Sequence, residues 1–361
     1  MNKKYKVAVA MSGGVDSSVA AALLKKQGYQ VIGFFMHFWS EPHFAKQQSP
    51  ANKCCSLDAY NDARRVAEVL NIPLYSLNFN LDFKKAVVDD FLKQYQQGNT
   101  PNPCIICNQF IKFGKFWTKA KSLGCKYIAT GHYTQIKQFK NKPYLYKAVD
   151  KSKDQSYFLY RLNQDILSHC IFPVGKYTKP QVRKLAEKYK LPVSQKRDSQ
   201  EICFVPEKEH YEFLQRHLKL KSGDIVDTKG NKLGRHKGLA LYTVGQRKGL
   251  ELSGGPWYVV NLDIKKNQLI ITNNPQDKLL FSDIMYVKEI NWINQEPKLP
   301  GNFEVRIRYL HKNQKAKITK LEKDLLEVKF KDPQRAITAG QSAVFYKGKE
   351  VLGGGIISHR T

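Results

Sequence analysis

Lys6-Val7-Ala8-Val9-Ala10-Met11-Ser12-Gly13-Gly14-Val15-Asp16-Ser17-Ser18 decides how the first half of this chain folds. Residues 6–11 are a short apolar run of buried-strand type, and residues 17–27 are helix formers until Gly28 stops them. Between them two glycines let the backbone turn tightly. Successive amide N–H groups at a helix N-terminus then form a concave site for phosphate, and the serine hydroxyls add donors. Asp16 has the wrong charge for such a site unless it holds Mg²⁺ or organises the loop. No Gly-x-x-x-x-Gly-Lys-Ser/Thr run is present. The loop therefore lacks the lysine that grips β- and γ-phosphates in P-loop proteins, which predicts a different use of ATP. The plain alternative is a Gly-Gly turn with no ligand.

Outward from this stretch, strand and helix patterns alternate. Residues 31–38 read as a strand, and Ser56 caps a helix whose apolar positions are Leu57, Tyr60, Ala63, Ala67 and Leu70. Residues 74–79 are strand again. Phe83, Val87, Phe91 and Tyr95 form the face of a helix that stops at Gly98. Asn102 as cap and Pro103 as first residue open a helix ending near Gly124, and residues 126–130 return to strand. The fold class is α/β: a parallel sheet with helices on both faces, ligands collecting at the carboxyl ends of its strands. Past residue 205 glycines recur with short apolar pieces between them, a small β-rich unit. From Phe281 the apolar period is two, as in Phe303 to Tyr309, then residues 316–321, 325–330 and 343–346, which predicts a C-terminal β-barrel. Three units follow: 1–205, 206–280 and 281–361.

The 361 residues suit that division. Sixty Lys+Arg against 31 Asp+Glu give a net charge of +29, which points to a polyanionic partner such as nucleic acid; a lineage that favours lysine is the bland account. Apolar stretches such as residues 31–36 fall far short of the roughly 18 residues of a membrane span, so no membrane role is expected. The first 11 residues read poorly as a secretion signal because the glycine loop follows at once, which places the chain in the cytoplasm. Seven cysteines, an odd number in such a chain, argue for thiols that are buried or chemically used.

The glycine loop resembles that of the PP-loop ATP pyrophosphatases, whose members cleave ATP between the α and β phosphates and use AMP to activate a carbonyl oxygen. Six further segments narrow the resemblance. Thr100-Pro101-Asn102-Pro103 with Cys107-Asn108 and Ile111-Lys112-Phe113, Thr130-Gly131-His132-Tyr133, residues 153–158, Asp198-Ser199, Ile202-Cys203-Phe204 and residues 242–250 are together similar to the tRNA-specific 2-thiouridylases, from end to end of the chain.

That resemblance implies a substrate, the wobble uridine in a tRNA anticodon loop, and a set of residues. Ala10, Met11, Ser12, Gly13, Gly14, Val15, Asp16 and Ser17 would bind the phosphates of ATP with Mg²⁺, and Met36 and Gly131 would border the adenosine. Asn102, Pro103 and Cys104 would line the extruded base. His132, Lys153, Asp154, Gln155, Arg308, Tyr309 and Gln341 would meet tRNA. Cys107 and Cys203 would be the reacting thiols, one of them carrying persulfide sulfur from a donor protein. The residue pattern agrees: Cys104 and Cys107 fall in the first turns of a helix, where the dipole and Lys112 favour thiolate. Cys54, Cys55, Cys125 and Cys170 read as buried apolar residues. Cys104 departs from the family, many of whose members carry aspartate there. It also creates a Cys-x-x-Cys that, with Cys203, could hold zinc or an iron–sulfur cluster, the lesser reading. The alternatives to the whole assignment are another PP-loop adenylating enzyme or an RNA-binding module with a cysteine metal site.

Overall fold

The computed structural model describes residues 5–41, 56–197, 202–205 and 209–361; Cys54, Cys55 and the Asp198-Ser199 motif lie outside the described residues. β1 (Lys6–Ala10), β2 (Gln30–His37), β3 (Leu74–Asn78), β4 (Tyr127–Ala129) and, after a hairpin of β5 (Thr134–Phe139) and β6 (Lys142–Lys147), the short β7 (Cys170–Ile171) supply the first sheet. Its order is β3-β2-β1-β4-β7, all parallel. The order reverses between β1 and β4, and a crevice at such a switch point is where open α/β sheets bind ligands.

Residues along β1 alternate between two cores. Val7 and Val9 face one core, shared with helix α1 (Val15–Lys26) and the helices Leu57–Val69 and Lys179–Lys188. Ala8 and Ala10 face the other, shared with the helical stretches 80–96 and 103–122. Period-two burial on a parallel strand thus places helices on both faces, as the sequence predicts. The Ser56 hydroxyl accepts the Ala59 N–H at 3.1 Å, and the expected cap is in place.

The helix with two of the cysteines is not uniform. Pro103–Ile106 is α-helical, Cys107–Lys115 is π-helical and Phe116–Ser122 is α-helical again. Asn102 caps it as expected, its Oδ1 accepting the Cys104 N–H at 3.2 Å. π segments occur chiefly where a helix has been adapted to function, and this one starts at Cys107.

β8 (Gly223–Asp227), β9 (Lys232–His236), β10 (Tyr258–Asp263) and β11 (Gln268–Thr272) form a four-stranded sheet. The last unit holds β12 (Phe281–Trp292), β13 (Gly301–Arg306), β14 (Gln314–Glu322), β15 (Leu325–Arg335), β16 (Ser342–Lys347) and β17 (Glu350–Arg360). They run in the order β12-β15-β14-β13-β16-β17, and β17 pairs back to β12, closing a six-stranded barrel. Met285, Val287, Val305, Ile318, Val328 and Phe345 fill it. Closure removes exposed edges.

Two details differ from the sequence reading. The strand expected over 303–309 ends at Arg306, because the chain turns through a His311 N–H to Arg308 O bond of 3.2 Å with Leu310 at φ 62°. The hairpin β5–β6 has no counterpart in the sequence pattern, and it extends the barrel's sheet through the pairing of Tyr146 with Glu350. Thr134–Phe139 is mostly exposed and polar, so it has little apolar alternation to read.

Candidate active site

The loop leaving β1 is held open by its own residues. Gly13 has φ 68°, and a side chain there would collide with the Ala59 carbonyl, so only glycine fits. Gly14 precedes α1 with no side-chain cap, which leaves the N-terminal amides of that helix to other acceptors. The Ser17 and Ser18 hydroxyls both donate to Gly14 O, at 3.1 and 2.8 Å, while Ser17 Oγ accepts the Ser12 N–H at 3.3 Å. Ala10, Met11 and Val15 are buried beneath the loop. Met36 is buried near the end of β2. Gly131, beyond β4, lies so close that a Cβ would come within 2.6 Å of Ser17 N. The loop, Met36 and Gly131 thus gather at the carboxyl edge of the sheet.

Asp16 organises this loop. Lys179 Nζ donates to its two carboxylate oxygens at 2.7 and 2.9 Å, and the Tyr133 hydroxyl donates to Oδ1 at 2.7 Å. With both oxygens engaged, the carboxylate does not fit as a ready magnesium ligand. Lys196 Nζ donates to Gly13 O at 3.0 Å and to Asp62 at 2.6 Å. Burial alone would raise the Asp62 carboxyl, but hydrogen bonds from Lys196 and Arg65 hold it below the usual range. Sequence reading missed Lys179 and Lys196. Both come from a later stretch, with no local pattern tying them to the loop.

The helix 103–122 leads into β4, so in a parallel sheet its start lies toward the same carboxyl edge as the loop. Cys107 is 5% exposed, in the core shared with the helical stretch 80–96. Cys203 is half-buried against that core, and its neighbour Phe204 packs on Phe83 and Phe91 at ring distances of 5.7 and 5.3 Å. Cys104 is half-buried as well. Among the described residues no three His, Cys, Asp or Glu side chains are grouped so that they could hold a metal ion. Cys125 and Cys170 are buried as expected, and burial raises both thiols above their ordinary pKa.

Residues from the barrel reach this helix. The Tyr309 ring packs tilted on Phe158 at 4.5 Å, and its hydroxyl is pushed up by burial, Asp154 and, more weakly, the neighbouring Cys104. Arg308 beside it is exposed. Gln341 Nε2 donates to Thr100 O at 2.8 Å, and Thr100 Oγ1 meets Thr243 Oγ1 of the middle unit at 3.0 Å. All three units therefore touch just before Asn102, Pro103 and Cys104.

The other expected tRNA contacts are drawn inward. Asp154 is 2% exposed, accepting from Ala148 N–H, Ser156 N–H, Ser156 Oγ and Arg306 of the barrel. Gln155 accepts the Tyr133 N–H at 2.9 Å, and Lys153 is half-buried. His132 packs against Phe113 and shares a 2.7 Å bond with Thr130 Oγ1. Burial and then the Lys112 charge push its imidazole well below the ordinary value, so the ring is neutral at pH 7.

Three family models tile the chain: a tRNA methyl transferase HUP domain over residues 5–207, a tRNA methyl transferase PRC-barrel domain over 211–273, and an aminomethyltransferase β-barrel domain over 282–357. A tRNA-specific 2-thiouridylase MnmA 2 of Clostridium tetani is 47% identical over 359 residues, covering 98% of this chain and 99% of the relative. The chain belongs to the tRNA-specific 2-thiouridylase family. A second member of the family, from Carboxydothermus hydrogenoformans, is 47% identical over 366 residues, covering 99% of this chain and 98% of its own. A third, from Geotalea uraniireducens, is 47% identical over 363 residues with 99% and 96% covered. In this 2-thiouridylase-family chain the parallel sheet, the middle unit and the closed barrel coincide with the three family models. The words "methyl transferase" belong to the descriptions of those models; the full-length relatives carry the thiouridylase name. No described helix is long and apolar enough to cross a membrane.

Proposed function

We propose that this chain is an ATP-dependent tRNA-uridine 2-sulfurtransferase that thiolates the wobble uridine. One observation carries the reading beyond family membership: residues 131–133 bridge the two halves of the chemistry. Gly131 lies against Ser17 of the phosphate-ready loop and Tyr133 holds Asp16, while His132 between them packs on Phe113 of the helix that carries Cys107. A base placed at the start of that helix would have its 2-oxygen directed toward an α-phosphate held by the amides of residues 13–17.

In this scheme the uridine 2-oxygen attacks the α-phosphorus of ATP, the bond to the β-phosphate breaks, and pyrophosphate leaves. A poor leaving oxygen becomes AMP, a good one. A persulfide on Cys203, charged by a sulfur-donating protein, attacks C2 through its outer sulfur and AMP departs. The base is then joined to Cys203 through a disulfide. Cys107 thiolate attacks the Cys203 sulfur, releasing 2-thiouridine and leaving a Cys107–Cys203 disulfide, which an external dithiol reduces. The neutral His132 ring and the Asn102–Cys104 turn contact the extruded base, and Arg308, Tyr309 and Gln341 the surrounding loop. Magnesium arriving with ATP would help neutralise the phosphates, and Asp16, committed to Lys179 and Tyr133, would not be the residue to hold it. The net charge of +29 supplies sequence-independent attraction to tRNA phosphates, and the cytoplasm is the compartment that suits such a substrate.

The test is nucleoside mass spectrometry of tRNA incubated with the protein, ATP, Mg²⁺ and a persulfide donor. Appearance of 2-thiouridine, with one AMP and one pyrophosphate formed per base, is expected. Binding of tRNA without pyrophosphate release would instead mark an RNA-binding module.

A further inference from the structure

The phosphate loop lacks a lysine of its own, yet a lysine from a distant helix is placed on it. Lys179 opens the helix Lys179–Lys188, and its side chain is only 10% exposed. Its ammonium spans both oxygens of Asp16, with the Tyr133 hydroxyl on one of them. Asp16 lies in the first turn of α1, beside the amides of the cradle. The helix dipole tolerates a carboxylate there, but a bare negative charge at that point repels an incoming triphosphate. A buried ammonium needs a partner, and Asp16 is that partner.

We propose that Lys179 is a positioning residue for the nucleotide. It cancels the charge of Asp16 and, with Tyr133, pins the carboxylate in place, so that the loop presents N–H groups to phosphate. The inference rests on the ATP reading above and adds a residue to it. The assignment differs from a direct grip on phosphate in one way: the value of Lys179 depends on Asp16 being charged.

Equilibrium ATP binding by the full chain, measured calorimetrically with Mg²⁺ and without tRNA, decides between them. K179M is expected to bind ATP about tenfold more weakly or worse, and K179R to stay within about threefold of the unaltered chain. D16N removes the charge that Lys179 answers and serves as the background in which Lys179 is tested again. Removing Lys179 from D16N, as D16N/K179M, is expected to cost less than about threefold. The same loss in both backgrounds, or no loss in either, would overturn the proposal. A K179M chain that fails to fold while D16N/K179M folds supports it, because the unpaired carboxylate is then the cause. If neither folds, K179R decides: binding within about threefold of the unaltered chain supports the proposal, and a loss of about tenfold or more overturns it. Failure of the unaltered chain to bind ATP is a separate result and would remove the ATP reading itself.

Discussion

Gln341 Nε2 lies 2.8 Å from the Thr100 carbonyl oxygen, so the barrel is fastened to the loop two residues ahead of Asn102, the cap of the Cys107 helix. The Thr100 N–H donates to Ala339 O at 2.9 Å, and Thr243 bonds the same threonine's hydroxyl. Between these contacts Gly340 has φ 88°, and a Cβ there would come within 2.8 Å of both Asn99 Cβ and Thr100 N.

Gly340→Ala therefore strains the backbone and pushes this loop away. A loss of about 1–3 kcal/mol is expected, read as a lower urea midpoint, together with slower thiolation. Gln341→Ala removes one hydrogen bond and should cost about 1 kcal/mol. Equal stability of G340A and the unaltered chain would show that the loop is not clamped.

Asp154 and Arg306 form a buried ion pair at 3.1 Å between the first unit and the barrel, with side chains 2% and 11% exposed. Arg306→Ala leaves a buried carboxylate with its remaining donors but without its ion-pair partner, and about 3–5 kcal/mol of destabilisation is expected. Thermal unfolding measures it. Asp154→Asn should likewise lower stability more than it lowers tRNA affinity; a variant of full stability with weakened tRNA binding would make Asp154 a surface contact instead.

His132 is held neutral by burial and by Lys112. Its folded pKa lies below the unfolded value near 6.5, so the unfolded chain takes up the proton first. The contribution of this ring to stability is complete above about pH 6.5 and is lost as pH falls toward the folded pKa. Imidazole carbon shifts of His132 should stay those of the neutral ring at pH 6. An NMR titration midpoint at or above 6.5 would contradict the assignment. Lys112→Met removes the repelling charge and should raise the midpoint.

Cys107→Ser and Cys203→Ser should each lower thiolation at least about 100-fold, while tRNA-dependent ATP–pyrophosphate exchange continues, since adenylation needs neither thiol. Cys104→Ser should fold and retain exchange. Full thiolation by both C107S and C203S would end the two-cysteine scheme.

Local pattern determined much of this protein. Strand runs, the Ser56 and Asn102 caps, the glycine turn and the period-two strands of the last unit are set by propensities and hydrogen bonds within a few residues, so the α/β sheet and the barrel are legible from the chain alone. The phosphate loop is also local, because its glycines and serines are consecutive. Tertiary structure alone decided what acts on that loop. Lys179 and Lys196 reach it from more than 160 residues away, and a lysine that opens a helix looks like any solvated one until packing aims it. The same holds for Asp154, which reads as a polar surface residue until Arg306 closes over it, and for the β5–β6 hairpin, which pairs with β17 of the barrel from about 200 residues away. Charge pairs between distant elements leave no period in the sequence, because Coulomb attraction depends on separation in space.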